Sequence, residues 1–203
     1  MVAHRGREPR EAPVGNIVYY WKVNGLLLLA AAAALLPCSY RKAGETEIAP
    51  HGACASRAGG GTLRVSERHL RVLDYGPDGL ASVFVEKTGW AWVRRDGASI
   101  EVPAVDNGPD AFSEGLVRIR RGGRIGFADR SFRTVVAPRF DFAWPFEKGR
   151  ALVCEGCATE STAPGEEAHA PATGGRWGYV DRSGREVVPI RLTREEALAA
   201  APR

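Results

Sequence analysis

Gly175-Arg176-Trp177-Gly178-Tyr179-Val180-Asp181-Arg182-Ser183-Gly184, running on into Arg185-Glu186-Val187-Val188-Pro189, decides how this chain is built, because diverged copies of it stand upstream. One copy reads Gly89-Trp90-Ala91-Trp92-Val93-Arg94-Arg95-Asp96-Gly97, and the other Gly123-Arg124-Ile125-Gly126-Phe127-Ala128-Asp129-Arg130-Ser131. Trp90, Ile125 and Trp177 hold one equivalent position, and Pro103, Pro138 and Pro189 follow it by 12 or 13 residues. Further on, Phe112-Ser113-Glu114-Gly115 answers Phe146-Glu147-Lys148-Gly149. A period of about 35 residues marks units that cannot bury their apolar faces alone and must stack on neighbours.

Within the best copy, Trp177 and Tyr179 alternate with Gly178 and Val180, the two-residue period of a strand with one buried face. Asp181-Arg182-Ser183-Gly184 supplies a turn. Residues 185–189 read as a second strand that ends or runs along an edge at its proline, with counterparts at 98–102 and 133–137. Leu116-Val117-Arg118-Ile119-Arg120 and Ala151-Leu152-Val153-Cys154 read as third strands returning into the next copy. Residues 75–83 read as the end of an incomplete unit. The expected fold is all-β: stacked antiparallel hairpins in an open array or a propeller-like arc. About 16 extra residues separate the last third strand from Trp177, so a solvated loop insertion is expected over 155–174. Thr193-x-x-Glu196 before Ala197-Leu198 has the form of a capping box that opens a short C-terminal helix within the 191–203 tail.

The phrase at 175–189, with Phe-Ser-Glu-Gly-Leu in the segment that follows the first copy, closely resembles the WG repeat of bacterial WG repeat-containing proteins over roughly residues 75–190. The Trp-Gly core stands as Trp177-Gly178, as Ile125-Gly126 and as Trp90-Ala91. The resemblance implies an envelope or secreted protein with an interaction or scaffold role and no defined reaction; a fold by itself assigns no chemistry.

Residues 25–37 form a 13-residue apolar run flanked by Lys22 and Arg41-Lys42, the length of a secretion h-region and short of the ~20 residues that cross a bilayer as a helix. Residues 1–38 are therefore expected to be a signal or membrane-anchor helix, with the true start downstream at Val14 or Val18. Cys38 ends the run as Leu35-Leu36-Pro37-Cys38 and is the candidate lipidation site. Residues 39–61 read as a flexible linker, leaving 62–190 as the β domain. The expectation is an exported, membrane-tethered protein at the cell envelope with its β domain periplasmic or extracellular.

The formal charge of +4 arises from 28 basic residues that are nearly all Arg, with no basic run interleaved with aromatics, so no nucleic-acid partner is expected. Of the histidines, His4, His51 and His169 fall outside the repeats and His69 alone lies near a strand. Glu114, Glu147 and Asp110 are the carboxylates one would test as a pair, but the two glutamates sit at turn glycines and read as turn residues. No serine elbow, phosphate-cradling loop or metal-spaced cluster occurs, and Gly122-Gly123-Arg124-Ile125-Gly126 reads as a hairpin turn. No catalytic residue, cofactor, metal or small-molecule substrate is expected. Cys154-Glu155-Gly156-Cys157 closes a strand and reads as a local disulfide pinning the insertion. Phe140, Phe142, Trp144 and Phe146 alternate at period two; Phe142, Trp144 and Phe146 are the candidate ligand-facing aromatics, set against packing between units. The functional expectation is a non-catalytic module that binds another envelope protein, with cell-wall glycan or peptide binding as the alternative and an enzyme a distant third.

Overall fold

The hairpins expected from the copies are present, but the body they belong to starts well before them. The computed structural model describes residues 35–58, 62–158 and 172–201, together with the backbone of 19–23 and 26–30. β1 (Tyr19–Val23) and β2 (Leu26–Ala30) pair antiparallel with Val23 opposite Leu26. The helix expected across the apolar run is thus replaced, at 26–30, by a strand. No helix among the described residues is long and apolar enough to cross a membrane. The residues ahead of Tyr19, including the start positions Val14 and Val18, lie outside the described residues.

Leu35–Arg203 forms a separate unit. It opens with β3 (Leu36–Tyr40), β4 (Ala49–Arg57) and β5 (Leu63–Val65), a one-turn helix α1 (Glu67–Leu70), then β6 (Leu80–Val85), β7 (Gly89–Arg94) and β8 (Ser99–Glu101). These six strands make one sheet in the order β5-β4-β3-β6-β7-β8. The sheet curls until its edge strands meet, and the Ser99 hydroxyl donates to the Leu63 carbonyl across the seam at 2.6 Å. The interior of this nearly closed barrel is filled by Tyr40, Leu63, Val65, Val83, Val85 and Val93 with smaller residues. The expected linker at 39–61 is therefore mostly barrel wall, and the β domain begins at Leu36 rather than at 62. Pro37 is accommodated where the β3–β4 register shifts, a bulge that spares the ladder the missing donor.

A short ladder of β9 (Ala104–Val105) and β10 (Gly108–Pro109) leads to β11 (Leu116–Arg121), β12 (Arg124–Asp129) and β13 (Thr134–Phe140), a three-stranded meander. The last sheet is β14 (Phe142–Ala143), β15 (Arg150–Ala158), β16 (Thr173–Asp181) and β17 (Glu186–Leu192), in that order. Helix α2 (Arg194–Ala199) follows, and its capping box is formed: Thr193 Oγ1 accepts from Glu196 N, and Glu196 Oε2 accepts from Thr193 N. The insertion is shorter than expected, because the hairpin ladder continues through Cys157 opposite Gly174 and Ala158 opposite Thr173. Residues 159–171, with His169, lie outside the described residues.

Each sheet straddles two sequence copies: β11 ends one and β12 and β13 begin the next. Alternation along β11 and β15 shows how the sheets stack. Val117 and Ile119 pack with Trp90, Ile100 and Val102 of the first copy, whereas Leu116 packs on the opposite side with Ile125, Phe127, Ala151 and Val153. Leu152 and Cys154 then point away from that layer, into a last cluster with Trp177 and Ala197 of α2. Third strands buried on both faces read as continuous apolar runs, which is why Ala151-Leu152-Val153-Cys154 lacks polar alternation.

Candidate functional site

The repeat motif itself is consumed by folding. Trp90, Ile125 and Trp177 are all buried, each in a different layer. A Cβ on Gly178 would meet Val188 O at 2.5 Å and Pro189 O at 2.7 Å. One on Gly126 would meet Pro138 N at 2.6 Å, with Val136 O nearer still. In both places the second strand shifts register against the first, its proline segment crossing directly over the glycine. Asp129 and Asp181 close the turns alike: Oδ1 accepts from the backbone N–H groups of the second and fourth residues on, and Arg133 or Arg185 braces Oδ2. The Ser183 hydroxyl and these donors hold the Asp181 carboxyl far below the usual carboxylate range. At Asp129 burial works against ionisation, but bonds from Arg133 and Ser131 outweigh it and the pKa is again lowered.

The carboxylates singled out in the sequence do not form an acid pair. Glu114 occupies a left-handed turn position, and its Oε2 accepts from Gly149 N at 2.9 Å. Beside it the Ser113 hydroxyl donates to Phe146 O at 2.6 Å, so the two Phe-x-x-Gly turns are tied to each other. Glu147 begins the second of those turns, bridging to Arg150 through backbone. Asp110 is 3% exposed and accepts two bonds from the Arg118 guanidinium, at 2.7 Å and 2.9 Å, and one from the Arg118 backbone N–H at 3.2 Å. Arg118 Nη1 donates onward to Ala143 O, and Trp92 Nε1 donates to Asp110 O. This buried bidentate pair joins the first copy, the second and the sheet that follows, a polar constellation that the sequence did not announce. Both partners are fully engaged, and this is the geometry of a joint rather than of an acid or base.

The aromatic line does not present one face. Phe140 and Phe146 are buried, Phe146 meeting Phe127 edge-on at 4.6 Å between ring centroids. Phe142 packs edge-on against Trp144 at 5.6 Å and tilted against Trp177. Trp144 alone is open, 43% exposed, with its backbone N–H fixed to Leu152 O at 2.8 Å. The strict two-residue period fails because β14 is only Phe142–Ala143, and the chain turns on either side of it.

All four cysteines are paired. Cys154 and Cys157 form a disulfide within β15, their Cα atoms 6.1 Å apart. Cys38 is bonded to Cys54 across β3 and β4, with Cα atoms 5.7 Å apart, and lies in the barrel core. A disulfide leaves no thiol for a thioether, so Cys38 serves the barrel and is not a lipid attachment point in this structure. His69 is buried with its ring committed: Arg68 Nε donates to Nε2, which leaves Nδ1–H to donate to Tyr40 Oη at 2.6 Å. Burial, followed by the Arg68 and His51 charges, lowers the His69 pKa. His51 Nε2 donates to Tyr40 O, and its ring lies against that of Tyr40. Among the described residues no group of three or more His, Cys, Asp or Glu side chains is arranged to hold a metal ion.

Compared with known proteins, the chain matches the family model for the WG containing repeat at residues 125–156 and again at 177–194. No curated protein and no solved structure matches it. The two matched segments start at Ile125 and Trp177, the equivalent positions at which β12 and β16 pair with the proline-bearing strands, so motif and register identify the same unit. Two segments of the chain, 125–156 and 177–194, are thus WG containing repeats.

Proposed function

We propose that this protein is a non-catalytic, exported repeat module that binds another protein of the cell envelope, in the manner of a scaffold built as an open stack of sheets. The observation that carries the reading is Trp144. A large aromatic held by a ring contact and a backbone hydrogen bond, yet open to solvent, is the kind of pre-ordered anchor on which protein interfaces concentrate their binding energy. The chemically capable side chains of the interior are already engaged: Asp110 with Arg118, His69 with Tyr40, and every cysteine in a disulfide. Export is supported by those two disulfides, which persist in oxidising compartments. The apolar segment ahead of Leu35 supplies the targeting or membrane attachment.

The test is a photo-crosslinking residue placed at 144 in the full-length chain, expressed in its own host, with the same residue at the exposed Val135 as control. A discrete protein adduct from 144 and not from 135, lost in Trp144→Ala protein of unchanged melting temperature, is the expected result. Retention on purified wall in place of an adduct makes the ligand a glycan, and absence of both overturns binding through this face. Free cysteine thiols in freshly quenched, alkylated envelope fractions contradict export.

A further inference from the structure

Where the barrel seam meets the second sheet, a cleft of about 240 Å³ opens between the end of β4, β8 and the β11–β12 turn. Arg57, Glu101, Arg120 and Arg121 line it, with Ser99 and Gly122. The local order of the chain forces the charges together. Gly122 and Gly123 both take left-handed φ, so the connection is a two-residue turn that sets Arg121 directly opposite Arg124 with Arg120 adjoining. Like charges opposed across a ladder destabilise it unless an anion sits among them. Arg124 has one, Asp141 at 2.6 Å, whereas among the described residues Arg120 and Arg121 make no salt bridge. On the facing wall Arg57 reaches Glu101 at 3.4 Å and donates to Thr88 Oγ1 at 2.9 Å. Glu101 is half-buried; that burial raises its pKa, against the pull of Arg57 and Arg121. Arg57 and Arg121 thus stand against the one carboxylate of Glu101 in a concavity, where low-dielectric walls focus the excess positive field.

The size narrows the occupant. Clefts that enclose drug-sized ligands run to roughly 300–1,000 Å³, and this one is smaller. No aromatic ring lines it, so nothing offers a stacking face for a base. We propose that the seam cleft is a binding site for a small phosphate-type dianion, a phosphomonoester or free phosphate, held by Arg57 and Arg121. Paired guanidinium donors match the oxygens of such a group, and the ligand relieves the repulsion at the hairpin tip. Glu101 limits affinity by its own charge and orients Arg57.

The experiment is calorimetric titration of the full-length protein, at low ionic strength, with inorganic phosphate, phenyl phosphate and acetate as probes. Saturable one-to-one binding of phosphate is expected, weakened about tenfold in Arg121→Gln, tightened several-fold in Glu101→Gln, and unchanged in Arg182→Gln. Equal binding of free phosphate and phenyl phosphate places the monoester substituent in solvent; preference for phenyl phosphate makes the ester the ligand, and both support the site. Failure of phosphate to saturate, insensitivity to Arg121, equal loss in Arg182→Gln, or acetate binding as tightly as phosphate each overturns it. Melting temperatures equal to that of the parent show that the variants are folded.

Discussion

The first repeat copy and the two later ones carry the same motif but build different objects. In the later copies the strand after the turn swings across a glycine, Gly126 or Gly178, and the register shifts there. In the first copy alanine stands at that point, Ala91, and β7 pairs with β8 without a shift from Ala91↔Glu101 to Val93↔Ser99. The turn differs in step. Asp129 and Asp181 are replaced by Arg94, and Asp96 two residues on takes over, accepting from Ala98 N and pairing with Arg94. What separates the copies is their outer neighbour. β8 must run straight to close the barrel against β5 through Ser99 and Leu63, whereas β13 and β17 close no barrel. Departure from the motif at residues 90–98 is thus the local record of a change in tertiary role, not loss of a function.

The largest expected effect is at the joint between the two kinds of unit. Arg118→Met leaves Asp110 buried and unpaired and is expected to lower unfolding free energy by about 3–5 kcal/mol in denaturant melts. Replacing both partners by apolar residues should recover most of that loss; if the double variant is no better than the single one, the pair is not acting as a joint. Next in size is Gly178→Ala, which forces a Cβ onto Val188 O and Pro189 O and is expected to cost about 3 kcal/mol. The reciprocal Ala91→Gly change should cost only about 1 kcal/mol, and equal losses at the two positions would erase the distinction drawn between the copies. The smallest effect is electrostatic. Because the folded state depresses the Asp181 pKa, its contribution is complete above about pH 4, the unfolded value, and fades as pH falls toward the lower folded value. Asp181→Asn should therefore be less stable than the parent at pH 7 and should converge on it in strong acid. Asp96→Asn, in the first copy, is expected to show a smaller difference at pH 7, and a larger one there reverses the ranking of the turns.

Much of this was legible in local sequence because the repeat encodes its own hydrogen-bonding. The Trp-Gly core, the Asp turn and the proline mark the hairpins of 89–101, 124–140 and 173–192, and Thr193 with Glu196 marks the terminal helix. The wall of the barrel was not legible. Ala49-Pro50-His51-Gly52-Ala53-Cys54-Ala55-Ser56-Arg57 has weak strand propensity and no period, and it is held by partners far along the chain: Cys38, β5 and the seam. The apolar run at 25–37 is a different case, since its length and hydropathy point to a helix whereas the backbone of 26–30 forms a strand. At the candidate surfaces, Trp144 was visible as a residue but not as the sole open member of its line. Arg121 was visible only as a turn residue, because Arg57 and Glu101 share a cleft with it only across the barrel seam.

The offset between sheet and sequence copy has a consequence for how such chains change length. A sheet takes its first strand from the end of one copy and the next two from the beginning of the following one, so a duplication starting anywhere in the period inserts one whole layer. Within Leu35–Arg203 the barrel lies on one side of the repeat sheets and α2 packs on the last of them, and neither needs rebuilding when a layer is added between them. The stack grows by about 10 Å for each duplication, and the spacing between its two ends becomes a heritable length.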